Sequence, residues 1–260
     1  MSIPGRKNLD QTGQHYMIDK RIIRFIIKSA DIKKTDIVLE IGYGKGALTS
    51  ELVKKCSVIA IDKFQAQLDF DSDNLFLIQG NILEKFQDIK AQYEFNKIVA
   101  NIPYNISEPL IKLLFKHHFD MAVMTLGENF SDILISKDNR VGIIADKLFK
   151  IKVLCDVPKR AFKPQPKILS RVVMIKKIPN DKLDDLGKIY RGLLFLDNKK
   201  IKNALEKIAE NESSMKGLTK NILRSLIKKD FLDIVFSKKL YELNNKEFLL
   251  LDKFLRKIVG

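Results

Sequence analysis

Residues 101–104 read Asn-Ile-Pro-Tyr, directly after Lys97-Ile98-Val99-Ala100, a short run with the composition of a buried strand. An amide, a proline and an aromatic at one strand end suit an exocyclic amine such as that of adenine. Such a nitrogen delocalises its lone pair into the ring and is a poor nucleophile. Two acceptors aimed at its protons draw it toward a tetrahedral shape. The side-chain oxygen of Asn101 is one. The backbone carbonyl of Ile102 is the other, held extended because Pro103 follows it. Tyr104 offers a ring to stack on an unpaired base, and Pro103 stiffens the turn, so positioning costs little entropy. The pattern points to methyl transfer onto an amine, with no general base required. The plain alternative is a proline turn in which Asn101 bonds its own backbone.

Upstream, residues 40–49 (EIGYGKGALT) leave a first strand and open toward a helix. Gly42 and Gly44 permit a tight turn and a close approach of backbone to a ligand. Asp62 ends the next strand, placed to accept from both hydroxyls of a ribose. A nucleoside-containing cofactor at the carboxyl ends of the strands follows. Gly42, Gly44 and Ala47 satisfy the dinucleotide pattern G-x-G-x-x-A. Glu40 argues the other way, because a carboxylate repels a pyrophosphate and favours the cationic amino-acid end of S-adenosylmethionine. From this loop both cofactors stay open, S-adenosylmethionine ahead of NAD.

These residues need a scaffold. Residues 18–30 have helical spacing of Ile22, Ile23, Ile26 and Ile27. Strands are expected at 36–42, 57–62, 75–79, 97–100 and 121–126, and helices at 46–54 and 107–116, the latter with Ser107 as N-cap and Pro109 in its first turn. Residues 149–157 and 169–178 read as later strands around a proline-rich loop, PKRAFKPQP, and this final pair could be antiparallel. The stretch 80–96 carries no clear signal. Alternation of strand and helix up to residue 178 argues an open, mostly parallel α/β sheet. From residue 179 the periods are helical (LGKIYRGLLF, KIKNALEKIAE, LTKNILRSLIKK, KEFLLLDKFLRKIV). The expected organisation is a catalytic, cofactor-binding domain over 1–178 and an all-helical RNA-binding domain over 179–260.

The 260 residues carry 47 Lys and Arg against 32 Asp and Glu, a net charge of +15. The excess is +9 over residues 1–180 and +6 over 181–260, so it is no tail. Such a balance favours a polyanionic partner, nucleic acid first, and suits RNA lying along a broad face. Two cysteines, Cys56 and Cys155, far apart and without a neighbouring His, argue against a zinc site or a disulfide framework and for a reducing compartment. No metal is expected. The first residues have no apolar core of a secretory signal and no run reaches membrane-spanning length. A cytoplasmic monomer is the expectation.

Six stretches together, GQHYM (13–17), LEIGYGKGALT (39–49), AID (60–62), NIPYNIS (101–107), AFKPQPKILSRVV (161–173) and LLFLDNKKIKNAL (193–205), resemble the small-subunit ribosomal RNA adenine N6-dimethyltransferases, whose relatives include the erythromycin-resistance methyltransferases. GQHYMID and the lysine richness look archaeal rather than bacterial. The resemblance implies a Rossmann-like S-adenosylmethionine-dependent fold with a C-terminal helical domain, and dimethylation of two adjacent adenines in a 3′-terminal hairpin loop, linked to ribosome biogenesis. It implies that Gln14, His15, Met17, Glu40, Gly42, Gly44, Asp62, Lys63, Asn81, Ile82 and Asn101 hold the cofactor. Asn101, Ile102, Pro103 and Tyr104 would hold the adenine and Phe162 would stack on its other face, an aromatic among Lys159, Arg160, Lys163 and Lys167 being suited to a flipped base beside phosphates. Lys199, Lys200 and Lys202 lead the RNA contacts with Lys159, Arg160 and Lys163; Lys228, Lys229, Lys238 and Lys239 come next. Two departures stand out. Asn81 replaces the family's Asp after the third strand, and LGENF keeps only Glu128 of a Gln-Lys-Glu stretch. They leave open a non-catalytic RNA-binding assembly factor; a large-subunit methyltransferase of the resistance type is a further alternative, against which residues 193–205 argue.

Overall fold

The computed structural model describes residues 14–64, 67–211 and 233–259. The chain forms two compact units, one of residues 1–113, 118–132 and 151–177, the other of 114–117, 133–150 and 178–260.

The first unit is built on a sheet whose strands are β2 (Ile37–Ile41), β3 (Ser57–Asp62), β4 (Leu75–Gln79), β5 (Lys97–Asn101), β6 (Met121–Gly127), β7 (Phe149–Val157) and β9 (Ser170–Lys177), in the order β4-β3-β2-β5-β6-β9-β7. The central strands are continuous apolar runs because both faces are covered. β2 pairs in parallel with β3 and with β5, β3 with β4, and β5 with β6; β9 returns antiparallel to β6. Two short strands, β1 (Tyr16–Met17) and β8 (Phe162–Lys163), pair antiparallel apart from this sheet. Ile23, Ile26 and Ile27 of α1 (Lys20–Ser29) pack on Val38, Val58, Val99 and Val123 in one buried cluster. Asp19 caps that helix through Arg21 N at 2.9 Å.

Locally the structure departs from expectation at several places. The helix expected at 46–54 is only α2 (Thr49–Leu52), because Gly44 and Gly46 sit at φ +52° and +77° and hold residues 44–48 in turns. The stretch 80–96, without a clear signal in sequence, forms α3 (Ile82–Gln92), capped by Asn81, whose Oδ1 accepts from Leu83 N. Ser107 does not cap α4 (Ser107–Phe115): a 3-10 turn over Tyr104–Ile106 runs straight into the helix. Ser107 is therefore already helical and its buried hydroxyl has no partner. Residues 128–148, unassigned from sequence, form α5 (Glu128–Ile135) and α6 (Arg140–Leu148).

In the second unit, α6 packs with α7 (Asp185–Phe195), and α7 with α8 (Ile201–Asn211) and α10 (Asn245–Val259); α9 (Asp233–Ser237) touches both α8 and α10. The fully buried Tyr190 of α7 donates to Asp252 at 2.6 Å, and Arg256 Nε donates to the same carboxylate at 2.8 Å. Two partners thus offset the cost of burying that charge. The helical period at LTKNILRSLIKK, with Lys228 and Lys229, lies outside the described residues.

Candidate active site

Parallel pairing of β2 with β5 sets Ile41 opposite Ala100, so the glycine loop and the Asn-Ile-Pro-Tyr turn leave the sheet side by side. The contact is intimate. Gly42 has φ +80°, and a Cβ on it would stand 2.9 Å from the Asn101 carbonyl oxygen. Only glycine meets both conditions without strain. Gly44 likewise faces the Tyr16 ring: a Cβ there would stand 2.9 Å from Tyr16 Cδ1.

A pocket opens over these strand ends. Its wall includes Gln14, His15, Gly42, Gly44, Asp62, Lys63, Asn81, Ile82, Asn101, Ile102, Pro103, Tyr104 and Phe162. The structure therefore assembles, from well-separated stretches of chain, most of the residues singled out in the sequence.

Of the residues expected to hold cofactor or adenine, two stay off the wall. Met17 is in the core cluster. Glu40 shares its strand face with Val38 and is completely buried; neither oxygen closes a hydrogen bond of good geometry, although the hydroxyl and N–H of Thr49 act on the carboxyl. Desolvation pushes its carboxyl up to about 8, against the hydroxyl and backbone N–H of Thr49, which act to lower it. Where the sequence places a Glu40 carboxylate at the cationic end of a cofactor, the structure puts Glu40 behind the pocket lining rather than on it.

Asp62 is on the wall and anchored: Oδ2 accepts from Gly44 N at 2.8 Å and Oδ1 from Phe64 N at 3.0 Å. Each oxygen keeps a further lone pair for a hydroxyl. Asn101 donates through Nδ2 to the His15 carbonyl at 3.0 Å, which turns its Oδ1 into the free acceptor of the amide. Tyr104 bonds through its hydroxyl to Ser170 Oγ at 2.6 Å, and burial raises its phenol above the usual value. Phe162 is 2% exposed: it is packed into the core and also forms pocket wall, on β8 beside Met17 of β1.

The family model for ribosomal RNA adenine dimethylases matches residues 5–242. The chain belongs to this family. It is 31% identical over 261 residues to a probable ribosomal RNA small subunit methyltransferase A of Pyrococcus furiosus, covering 95% of this chain and 92% of that one. A probable enzyme of the same name from Methanococcus aeolicus is 32% identical over 262 residues, covering 95% and 96%. Among solved structures, a dimethyladenosine transferase from Plasmodium falciparum is 25% identical with a TM-score of 0.61, covering 94% of this chain and 99% of that one.

For a ribosomal RNA adenine dimethylase the pocket has a fitting cofactor, S-adenosylmethionine. The loop gives no side chain at Gly42 or Gly44, and Asp62 stands on the wall with accepting capacity left on both oxygens, which suits a ribose. Turns over residues 44–48 separate the glycines from α2, so no helix N-terminus directly backs the loop as a pyrophosphate would require. Asn81 spends its Oδ1 on capping α3 and its Nδ2 on Glu84, at 2.8 Å. One lone pair of that oxygen is left for an adenine amine.

The rim of this dimethylase differs from expectation in a specific way. No loop follows β6; α5 starts at Glu128, which pairs with Arg171 at 3.0 Å, and Arg171 also binds Asp132 and Asp156. Arg160 and Lys163 are exposed and Lys159 is half-buried, its amine on the Lys167 carbonyl. In the second unit, Lys199, Lys200 and Lys202 are exposed, whereas Lys238 is paired with Glu247. Sequence reading missed Tyr16, whose hydroxyl donates to Gln14 Oε1 at 2.8 Å, and Ser170. Tyr16 had a signal, its place inside GQHYM; Ser170 had none that reached Tyr104, 66 residues away.

Proposed function

We propose that this S-adenosylmethionine-dependent rRNA adenine dimethylase modifies two adjacent adenines of small-subunit rRNA, acting as a cytoplasmic monomer during ribosome biogenesis. The observation that carries the site assignment is the fixed amide of Asn101. With Nδ2 committed to His15, Oδ1 is the atom turned to accept, at a strand end beside Pro103 and Tyr104.

Gln14, Gly42, Gly44, Asp62, Lys63, Asn81 and Ile82 would hold the cofactor, which when bound supplies a methyl group on a positively charged sulfur. Asn101 Oδ1 and the Ile102 carbonyl accept the two protons of the adenine amine and localise its lone pair. Tyr104 stacks on one face of the base and Phe162 closes the other. Neither acceptor takes the proton away; the product loses it to water. Arg160 and Lys163 lie near the base-binding wall in sequence and would meet the flanking phosphates, while the helical unit adds Lys199, Lys200 and Lys202.

The test is labelled methyl transfer from S-adenosylmethionine to unmethylated small subunits, large subunits and naked rRNA. Label confined to small-subunit adenines, and reduced at least about a hundredfold by Asn101→Ala, is the expected result. Label in large-subunit RNA would assign the chain to the resistance type. Cofactor binding with no label on any RNA would leave an assembly factor.

A further inference from the structure

We infer that His15 and Ser170 are positioning residues for the methyl-accepting base, together clamping the Tyr104 ring in the plane it needs for stacking. This rests on the function proposed above, in which Tyr104 lies against the target adenine.

Tyr104 is fixed at three points. Its hydroxyl is held by Ser170 Oγ at 2.6 Å, and Ser170 is fully buried, so water does not compete for that bond. Behind the ring is Gly127, directly opposite Ser170 in the β6–β9 ladder. A Cβ at Gly127 would stand 3.3 Å from Tyr104 Cδ1, 3.4 Å from its Cγ and 2.9 Å from Ile168 Cδ1. A side chain at this position would crowd the ring, so the glycine lets Tyr104 lie close against the strand. The third point is the His15 ring, stacked at 5.8 Å between centroids and 27° between planes.

His15 does more than touch Tyr104. Its Nδ1 donates to the Pro164 carbonyl at 3.0 Å, and its own carbonyl accepts from Asn101 Nδ2 at 3.0 Å. One residue thereby joins the base acceptor Asn101, the base platform Tyr104 and the segment two residues past Phe162. The sequence groups His15 with the cofactor contacts. These two hydrogen bonds and the ring stack all run instead to groups on the acceptor side. Gly127, which stands in the altered LGENF stretch, leaves open the space that a side chain there would take from Tyr104.

Two variant sets test the clamp, with single-turnover methyl transfer to small subunits at saturating cofactor, cofactor Kd by calorimetry and Tm measured for each. Ser170→Ala should slow transfer about tenfold in the native background and less than about twofold when Tyr104→Phe has already removed the partner hydroxyl. Ser170→Cys fills the site with a slightly larger atom, weakens the bond and carries the same test should the alanine variant fail to fold. His15→Ala should slow transfer at least about tenfold with cofactor Kd within about twofold, and His15→Phe, which restores a ring, should recover part of the rate. An equal Ser170 effect in both tyrosine backgrounds would overturn the clamp. So would His15 variants that lose cofactor affinity yet keep the native rate at saturation. Failure of the unmutated protein to label any adenine would instead bring down the function proposed above, and the clamp with it.

Discussion

Glu40 illustrates how much a single buried group can say. Its carboxyl is entirely enclosed with only Thr49 to act on it as a donor, and desolvation outweighs that and moves it from the ordinary 4.5 to about 8. Between these values the native protein keeps a proton that the unfolded chain releases. The unfolded state therefore binds fewer protons, and stability falls as pH rises from about 4.5 to about 8, then levels off. Glu40→Gln has no proton to lose. The expected outcome is that urea unfolding at about pH 5 finds the two proteins similar, and at about pH 8 finds the variant more stable by on the order of a few kcal/mol. Parallel stability-pH curves would mean that the acid is not buried neutral. The same residue marks a limit of sequence reading. Its position two before Gly42 suggested a charge beside the cofactor, but strand alternation, which fixes the face a side chain takes, points it into the core with Val38.

At the level of elements, the glycine loop and the Asn-Ile-Pro-Tyr turn hold each other. Gly42→Ala would force a left-handed φ on a residue with a Cβ and drive that Cβ to 2.9 Å from the Asn101 carbonyl, where only backbone can yield. A cost of about 1–3 kcal/mol is expected from the strain. Methyl transfer should fall by more than the stability loss explains, because the atom displaced belongs to the turn that receives the base. Tm and single-turnover rate on one preparation separate the two; a normal rate at reduced Tm would show that the loops are not coupled. That coupling was half legible in the sequence. The apolar runs at 36–42 and 97–100 announced strands, and a mostly parallel sheet sets their carboxyl ends along one edge. The close approach of Gly42 to Asn101 needed register, which only the paired sheet supplies. Long-range side-chain partners were beyond reach for the same reason: His15 meets Pro164, and Tyr104 meets Ser170, through the β1–β8 and β6–β9 pairings. Helices α5 and α6 escape a sequence reading because Glu128 follows β6 with no loop to mark the boundary, though Asn139 caps α6 through Gly142 N at 2.9 Å.

Across the whole molecule the decisive quantity is charge. A net +15 shared by both parts of the sequence predicts binding dominated by phosphate contacts and released counterions. Lys199, Lys200 and Lys202 are exposed, and among the described residues none of them forms an ion pair, so neutralising them leaves no carboxylate stranded. The triple variant Lys199→Ala, Lys200→Ala, Lys202→Ala is expected to fold normally and to flatten the plot of log binding constant against log salt by about 2 to 3, near one unit for each phosphate no longer neutralised. It should weaken binding to matched and mismatched RNAs alike, because phosphates carry no sequence. The methylation rate at saturating small subunit should stay native, since these lysines stand in the second unit and the pocket is built wholly from the first. An unchanged salt slope would place the RNA elsewhere on the basic surface. A loss of discrimination between RNAs would mean that the helical unit reads bases or shape, and that choice of the target adenine does not rest with the pocket around Asn101 and Tyr104 alone.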